Sequence, residues 1–128
     1  MIEFTLLFAA TLGGFAVIFG AFGAHALKKI LNEEQLKSFE TGVKYQLYHT
    51  FILLLIGFNF ELKTTSETLM VYSFIAGILL FSFSIYGLVI SSAKNKKLKF
   101  LGPITPLGGL LLIIGWSLLF YNILNMTF

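Results

Sequence analysis

Only a few side chains in this sequence are of types that carry out chemistry, and the two histidines are the most informative. His49 follows Tyr45 by four residues and Tyr48 by one. On a helix, the Tyr45 and His49 side chains would therefore share a face. The chain contains no cysteine, arginine or aspartate. The imidazoles of His25 and His49, without a thiolate or a nearby carboxylate, make an incomplete metal site.

We group the polar residues around the histidines as a candidate functional cluster, which comprises His25, Tyr45, Gln46, Tyr48, His49 and Thr105. One interpretation is a metal, haem or proton-relay site built from the two imidazoles. The other is that these side chains bond backbone carbonyls or one another, as buried polar groups usually do. We favour the second interpretation, and we expect no catalytic residue, no bound metal and no cofactor.

The carboxylates stand outside the apolar segments. Glu3 and Glu61 lie at segment ends, and no acidic residue lies inside one. Proton-coupled transporters need an ionisable group within the membrane, where such groups are rare and functional. The sequence therefore argues against a proton-driven pump or a small multidrug exporter.

The composition indicates a membrane protein. The chain has 128 residues, 57% of them hydrophobic and 12% charged, whereas soluble domains carry roughly 25% charged residues. A soluble domain of this length has too much surface to hide so much apolar area. A spanning helix needs about 20 apolar residues. We predict an all-α, single-domain bundle over residues 1–128, with four transmembrane helices at about residues 4–26, 44–62, 68–92 and 105–125.

Two helix starts have recognisable signals. Asn32 and Gln35 have the spacing of a capping box. An amphipathic helix is expected to start near Glu33, run along the membrane interface between helices one and two, and bend at Gly42 into the membrane. Helix four is expected to start after an N-cap at Thr105, because proline suits the first helical position.

Small residues at steps of three and four predict close helix contacts, since lipid gives helices no hydrophobic reason to associate. The predicted packing residues are Gly13, Gly20, Gly23, Ala24, Gly77, Ser84, Gly87, Gly108, Gly109, Gly115 and Trp116. Such stripes do not say whether the partner helix is in the same chain. A homo-oligomer or a complex with another membrane protein is therefore an open expectation.

The lysines predict the orientation. Eight of the nine lysines lie in the first and third connectors. The positive-inside rule then places these connectors in the cytoplasm and both termini outside the cell membrane. The basic residues of the third connector, Lys94, Lys96, Lys97 and Lys99, have the clustering that binds anionic lipid headgroups. The lysines flank apolar segments, so we expect membrane lipid and no nucleic acid as a partner.

Four ordered motifs carry a resemblance to a known family. They are Gly20–His25, Thr41–His49, Gly102–Gly109 and the pair Gly115 and Trp116. In these motifs the chain resembles domain-of-unknown-function family 423, the YgdD/YwdK-like small bacterial inner-membrane proteins. The resemblance covers essentially the whole chain and implies a four-helix multi-pass membrane protein. It implies no activity, substrate or cofactor.

The leading functional hypothesis is a multi-pass membrane protein that is not an enzyme and acts through helix–helix or lipid interactions. The first alternative is a small oligomeric transporter or channel with the histidine–tyrosine cluster at its cytoplasmic face. The second is a metal or haem protein that uses His25 and His49.

Overall fold

A computed structural model describes all 128 residues of the chain. The chain forms four long helices, which we label α1 (Ile2–His25), α2 (Glu33–Asn59), α3 (Thr65–Ala93) and α4 (Ile104–Leu124). The predicted all-α class is confirmed. Three helical stretches are long and apolar enough to cross a membrane, and they are Ile2–Lys29, Thr65–Ala93 and Lys99–Leu124. Helix α2 is not among them.

Helix α2 runs without interruption through the segment that was predicted to be a separate interfacial helix. The Asn32–Gln35 capping box is confirmed, with the Gln35 N–H donating to Asn32 Oδ1 at 2.8 Å. Gly42, where a bend was predicted, is helical and buried, and the helix continues through it. A Cβ added at Gly42 would lie 2.7 Å from the Tyr86 ring. Gly42 therefore allows α3 to approach and does not end a helix.

The helices pair as two antiparallel hairpins. Along α1 and α2 the contacting residues run in opposite directions, as in the pairs Leu6 with Gly57, Gly13 with Thr50, and Gly23 with Phe39. Helices α3 and α4 show the same arrangement in the pairs Phe74 with Gly115, Gly77 with Leu112, and Phe81 with Gly108. Most of these contacts place a glycine against a larger side chain, as expected for close packing in lipid.

Of the glycine positions, the one with the least space for a Cβ joins α4 to a wide turn of α3. Residues Leu79–Phe83 of α3 form one π-helical turn. Gly108 of α4 lies so close to this turn that an added Cβ would meet the backbone nitrogen of Phe81 and lie 2.7 Å from the carbonyl carbon of Leu80. A backbone cannot rotate away as a side chain can. Only glycine fits at this position without displacing a helix.

Helices α1, α2 and α3 meet around a buried polar network. Gln46 is fully buried, and its Nε2 donates to the Leu12 carbonyl at 2.8 Å. The Tyr86 hydroxyl donates to Gln46 Oε1 at 2.7 Å. Ser82, in the π turn, donates to the Gly42 carbonyl at 2.7 Å. These bonds satisfy the polar groups that three helices bury in an otherwise apolar bundle.

Some residues expected at helix contacts or caps are placed differently. Ala24 is exposed. Gly20 has ordinary space around it, because an added Cβ would lie 3.6 Å from Val43. Thr105 lies inside α4 and does not cap it; its hydroxyl contacts the Ser84 hydroxyl at 2.6 Å. Helix α4 begins at Ile104 after Pro103, two residues earlier than a Thr105 cap would allow.

We predict that Gly108→Ala destabilises the bundle by about 1–3 kcal/mol, the usual cost of overpacking. The physical reason is that the new methyl group meets the α3 backbone. The measurement is unfolding of the purified protein in mixed micelles, followed by circular dichroism.

The matched control is Gly14→Ala. Gly14 lies on α1, and an added Cβ there meets nothing within 4 Å. Alanine is the better helix former, so this variant should be as stable as the wild type or slightly more stable. Equal stability of the two variants would contradict the close contact at Gly108.

Candidate functional site: a groove between helices two and four

Helices α2 and α4 stand apart and leave a groove along their length. Its larger section has a volume of about 930 Å³ and is lined mainly by apolar and aromatic side chains. The lining residues include Tyr45, Tyr48, His49, Phe81, Pro106 and Trp116. Pro106 and Trp116 lie ten residues apart, so this section is about 15 Å long. That length is half of a hydrocarbon core about 30 Å thick.

One hydrogen bond crosses the groove. The Trp116 indole Nε1–H donates to His49 Nε2 at 3.1 Å. The two rings meet edge to face with centroids 6.0 Å apart, and Phe74 of α3 packs edge to face on the indole at 5.8 Å. This pair ties α4 to α2 at a point where the helices otherwise diverge. We call it the His49–Trp116 bridge.

The hydrogen-bond partners of His49 define its tautomer. Nδ1 lies 2.7 Å from the Tyr45 carbonyl oxygen, which can only accept. Nδ1 therefore carries the proton, and Nε2 presents a lone pair to the Trp116 N–H. Both ring nitrogens of His49 are used, and the imidazole is neutral. This is the arrangement of a histidine that completes a hydrogen-bond network.

A second section of the groove continues past the bridge. It has a volume of about 340 Å³ and shares Ile52 with the larger section. Leu55, Ile56, Leu119 and Ile123 line it. We call the two parts the long section and the short section of the groove. Together they form an apolar path along the outer surface of the bundle.

A polar pocket lies at the lysine-bearing end of the groove. It has a volume of about 480 Å³, and among its lining residues are Gln35, Ser38, Ser92, Lys97, Lys99 and Gly102. We call it the basic pocket. Ser38 and Tyr45 are seven residues apart on α2, so they fall on one helix face, and Gly102 lies in the turn just before α4 begins at Ile104. The basic pocket is therefore in line with the long section of the groove.

The structure brings together part of the candidate functional cluster. Tyr45, Tyr48 and His49 line the long section of the groove. Gln46 points the other way, into the network with Leu12 and Tyr86. Thr105 contacts Ser84 between α3 and α4. Three of the six residues thus share a surface, and two belong to helix contacts behind it.

His25 lies far from His49. Gly13 of α1 packs against Thr50, the residue after His49. His25 is twelve residues further along α1, or about 18 Å, and it is exposed. The structure therefore does not bring the two imidazoles to one site.

The sequence interpretation missed the partner of His49. It placed Trp116 among the packing residues and did not connect its indole with the imidazole 67 residues away. The available signal was weak. His49 and Trp116 each need a hydrogen-bond partner inside an apolar bundle, but several hydroxyls and carbonyls compete for that role.

Comparison with known proteins identifies the family. The model of the family described as "Protein of unknown function (DUF423)" matches residues 19–109. A UPF0382 membrane protein of Haemophilus influenzae is 37% identical over 117 residues, which cover 91% of this chain and 90% of that protein. A UPF0382 membrane protein of Staphylococcus aureus is 40% identical over 104 residues, or 81% of each chain.

The Escherichia coli UPF0382 inner membrane protein YgdD is 34% identical over 118 residues, which cover 91% of this chain and 86% of that protein. No solved structure matches the chain. The chain belongs to this family of bacterial membrane proteins of uncharacterised function, and the resemblance seen in the sequence motifs is confirmed.

We predict that His49 and Trp116 are energetically coupled. The test is a double-mutant cycle with His49→Phe, Trp116→Phe and the double variant, with unfolding followed by circular dichroism. The expected coupling is about 0.6–2 kcal/mol, the range found for hydrogen bonds between membrane helices. A matched cycle with His25→Phe in place of His49→Phe should give additive effects, because His25 is exposed and distant. Additivity in both cycles would rule out the bridge.

Proposed function

We propose that this protein crosses the cell membrane four times and acts there by binding an anionic phospholipid of the cytoplasmic leaflet along the groove between α2 and α4. It does so without catalysing a reaction. The observation that carries the proposal is the alignment of the basic pocket with the long section of the groove on one face of α2, with the pocket's Gly102 just before the start of α4.

The fourth span in this proposal is α2. Its 27 residues extend about 40 Å, more than the hydrocarbon core of about 30 Å. It packs between α1 and α3, both of which are candidate spans. Its polar side chains Gln46 and Thr50 are turned to these neighbours and buried. Low hydropathy in α2 thus reflects polar contacts between helices and is compatible with a position inside the bilayer.

The lysine-bearing end has the surface of a segment at the membrane interface. Ile30, Leu98 and Phe100 are exposed apolar side chains, 43–64% accessible, that alternate with lysines in the two connectors. Apolar side chains can enter the acyl boundary there while lysines contact anionic headgroups. This supports a cytoplasmic location for the two connectors, together with the lysine excess.

The basic pocket has the chemistry of a phosphate site. Lys97 and Lys99 supply two ammonium groups, and Ser38 and Gln35 supply neutral polar groups. Glu34 is the acidic residue in its lining, so cationic groups exceed anionic groups. A headgroup phosphate in this pocket would receive charge-assisted hydrogen bonds.

The groove beside this pocket suits the rest of a lipid molecule. The Tyr45 and Tyr48 side chains are 42% and 54% exposed, and helical side chains lean toward the N-terminal end of their helix. In α2 that end is the basic pocket, so the two hydroxyls are placed to bond glycerol ester oxygens. An acyl chain would then follow the long section of the groove to Trp116, near the middle of the bilayer.

A helix of a second copy is the competing occupant of the groove, and it is the one that an oligomeric transporter or channel would require. The charges favour lipid. A helix in the groove would leave Lys97 and Lys99 without an anionic partner, whereas a lipid headgroup supplies one.

The orientation predicts the behaviour of terminal reporters. Alkaline phosphatase fused after Phe128 should be active, and green fluorescent protein at the same position should be dark, because the C-terminus is outside. A fusion after Lys97 should give the reverse pattern. A fluorescent C-terminal fusion would overturn the orientation.

Trp116 is the single tryptophan of the chain and reports directly on the groove. We predict that it is quenched more strongly by brominated phosphatidylglycerol in a phosphatidylcholine bilayer than by brominated phosphatidylcholine at the same bromine content. The reason is that the anionic headgroup draws its own acyl chains into the groove. The measurement is steady-state fluorescence of the reconstituted protein.

The matched variants are Lys97→Gln/Lys99→Gln and Lys94→Gln/Lys96→Gln. Each removes two positive charges from the same connector, but only the first pair lines the basic pocket. The preference for phosphatidylglycerol should disappear in the first variant and persist in the second. An equal loss of this preference in both variants would show that it depends on the overall surface charge and not on the basic pocket. Weak quenching by both lipids would show that a protein helix occupies the groove.

A further inference from the structure

The end of the bundle opposite the lysines holds a second polar pocket, with a volume of about 730 Å³. We call it the carboxamide pocket, because three asparagines and three charged residues line it: Asn59, Glu61, Lys63, Glu67, Asn122 and Asn125. Asn59, Phe60 and Met126 also line the short section of the groove. The short section of the groove therefore opens into the carboxamide pocket, just as the long section opens toward the basic pocket.

The carboxamide pocket is rich in hydrogen-bond acceptors. The Nδ2 groups of Asn59 and Asn125 donate to backbone carbonyls of their own helices, at 2.8 and 2.7 Å. Their Oδ1 atoms remain as acceptors. Glu67 accepts two backbone N–H groups of the helix start at Oε2, which leaves Oε1. Several oxygens at this site thus have no donor from the chain.

Asn122 adds a buried polar group to the pocket. Its side chain is 6% exposed, and its Oδ1 accepts the Ser66 hydroxyl at 2.6 Å. Its Nδ2 has only the Met70 sulfur, at 3.7 Å. A thioether is a weak acceptor, so this amide N–H group is almost unpaired in a nine-tenths buried position. An oxygen of a bound molecule would complete it.

The charges of this pocket differ from those of the basic pocket. Lys63 bonds Glu61 at 2.8 Å. The Lys63 ammonium lowers the pKa of Glu61, and the Glu61 carboxylate raises the pKa of Lys63, so both stay charged at neutral pH. With Glu67 added, acidic groups exceed basic groups in the lining. The pocket therefore disfavours an anionic headgroup and suits a group that brings N–H donors.

We propose that the carboxamide pocket binds the primary ammonium headgroup of a zwitterionic aminophospholipid, whose acyl chain lies in the short section of the groove. The ammonium group has three N–H donors for the free oxygens of Asn59, Glu67 and Asn125. The phosphate of the same headgroup can contact Lys63 and the Asn122 amide. This site is separate from the basic pocket and does not depend on it.

The test is a methylation series of dioleoyl phosphatidylethanolamine, its N-methyl and N,N-dimethyl derivatives, and dioleoyl phosphatidylcholine. Native mass spectrometry of the detergent-purified protein gives the affinity for each. The acyl chains are identical, while the N–H donors fall from three to none. We expect affinity to fall along the series, by at least about tenfold overall, which is the equivalent of one of the three charge-assisted hydrogen bonds. Equal affinity for the four lipids would overturn the proposal.

The variant for this site is Glu61→Gln/Glu67→Gln, which removes both carboxylates. Glutamine at position 67 can still complete the capping box with Thr64, so helix α3 keeps its start. The control is Glu3→Gln, which removes one exposed carboxylate outside the pocket lining. The double variant should lose the preference for phosphatidylethanolamine, and Glu3→Gln and Lys97→Gln/Lys99→Gln should keep it. A preference that survives in the double variant would exclude these carboxylates and the proposed site.

Discussion

The structure depends on one constraint, which is that polar groups within an apolar bundle must find hydrogen-bond partners inside it. Helix α2 carries three of the seven buried polar side chains, more than any other helix. Gln46 is satisfied by α1 and α3, the Gly42 carbonyl by Ser82, and His49 by Trp116 of α4. Because its polar groups bond to three different helices, α2 has to lie at the centre. Its position and its low hydropathy have the same origin.

Much of the fold could be predicted from local sequence. The length of the apolar segments predicts α1, α3 and α4, and the spacing of Asn32 and Gln35 predicts the start of α2. Contacts between helices were harder to predict, because small-residue spacing marks a helix face but not its distance from the neighbouring helix. Gly20 and Gly108 look equivalent in sequence. The first has room for a methyl group and the second touches backbone.

The candidate site could be predicted only where its residues are close together in sequence. Tyr45, Tyr48 and His49 are one helical turn apart, so their common surface follows from local geometry. Trp116 and His25 required knowledge of the register between distant helices. The π turn of α3 could not be predicted from the sequence either, since none of the residues Leu79–Phe83 has a side chain that requires it. That turn places Phe81 in the groove and Ser82 against Gly42.

The groove between α2 and α4 is a consequence of how tightly α4 packs elsewhere. Gly77, Gly108 and Gly115 bring the backbones of α3 and α4 together. With α4 held against α3 in this way, a gap is left between α4 and α2, and a single long side chain, Trp116, reaches across it. A larger residue on α4 would fill the groove. Weaker glycine contacts with α3 would let α4 move toward α2, and this would also close the groove. If lipid binds along the groove as proposed, these close contacts serve function as well as stability, because they hold α4 where the groove stays open.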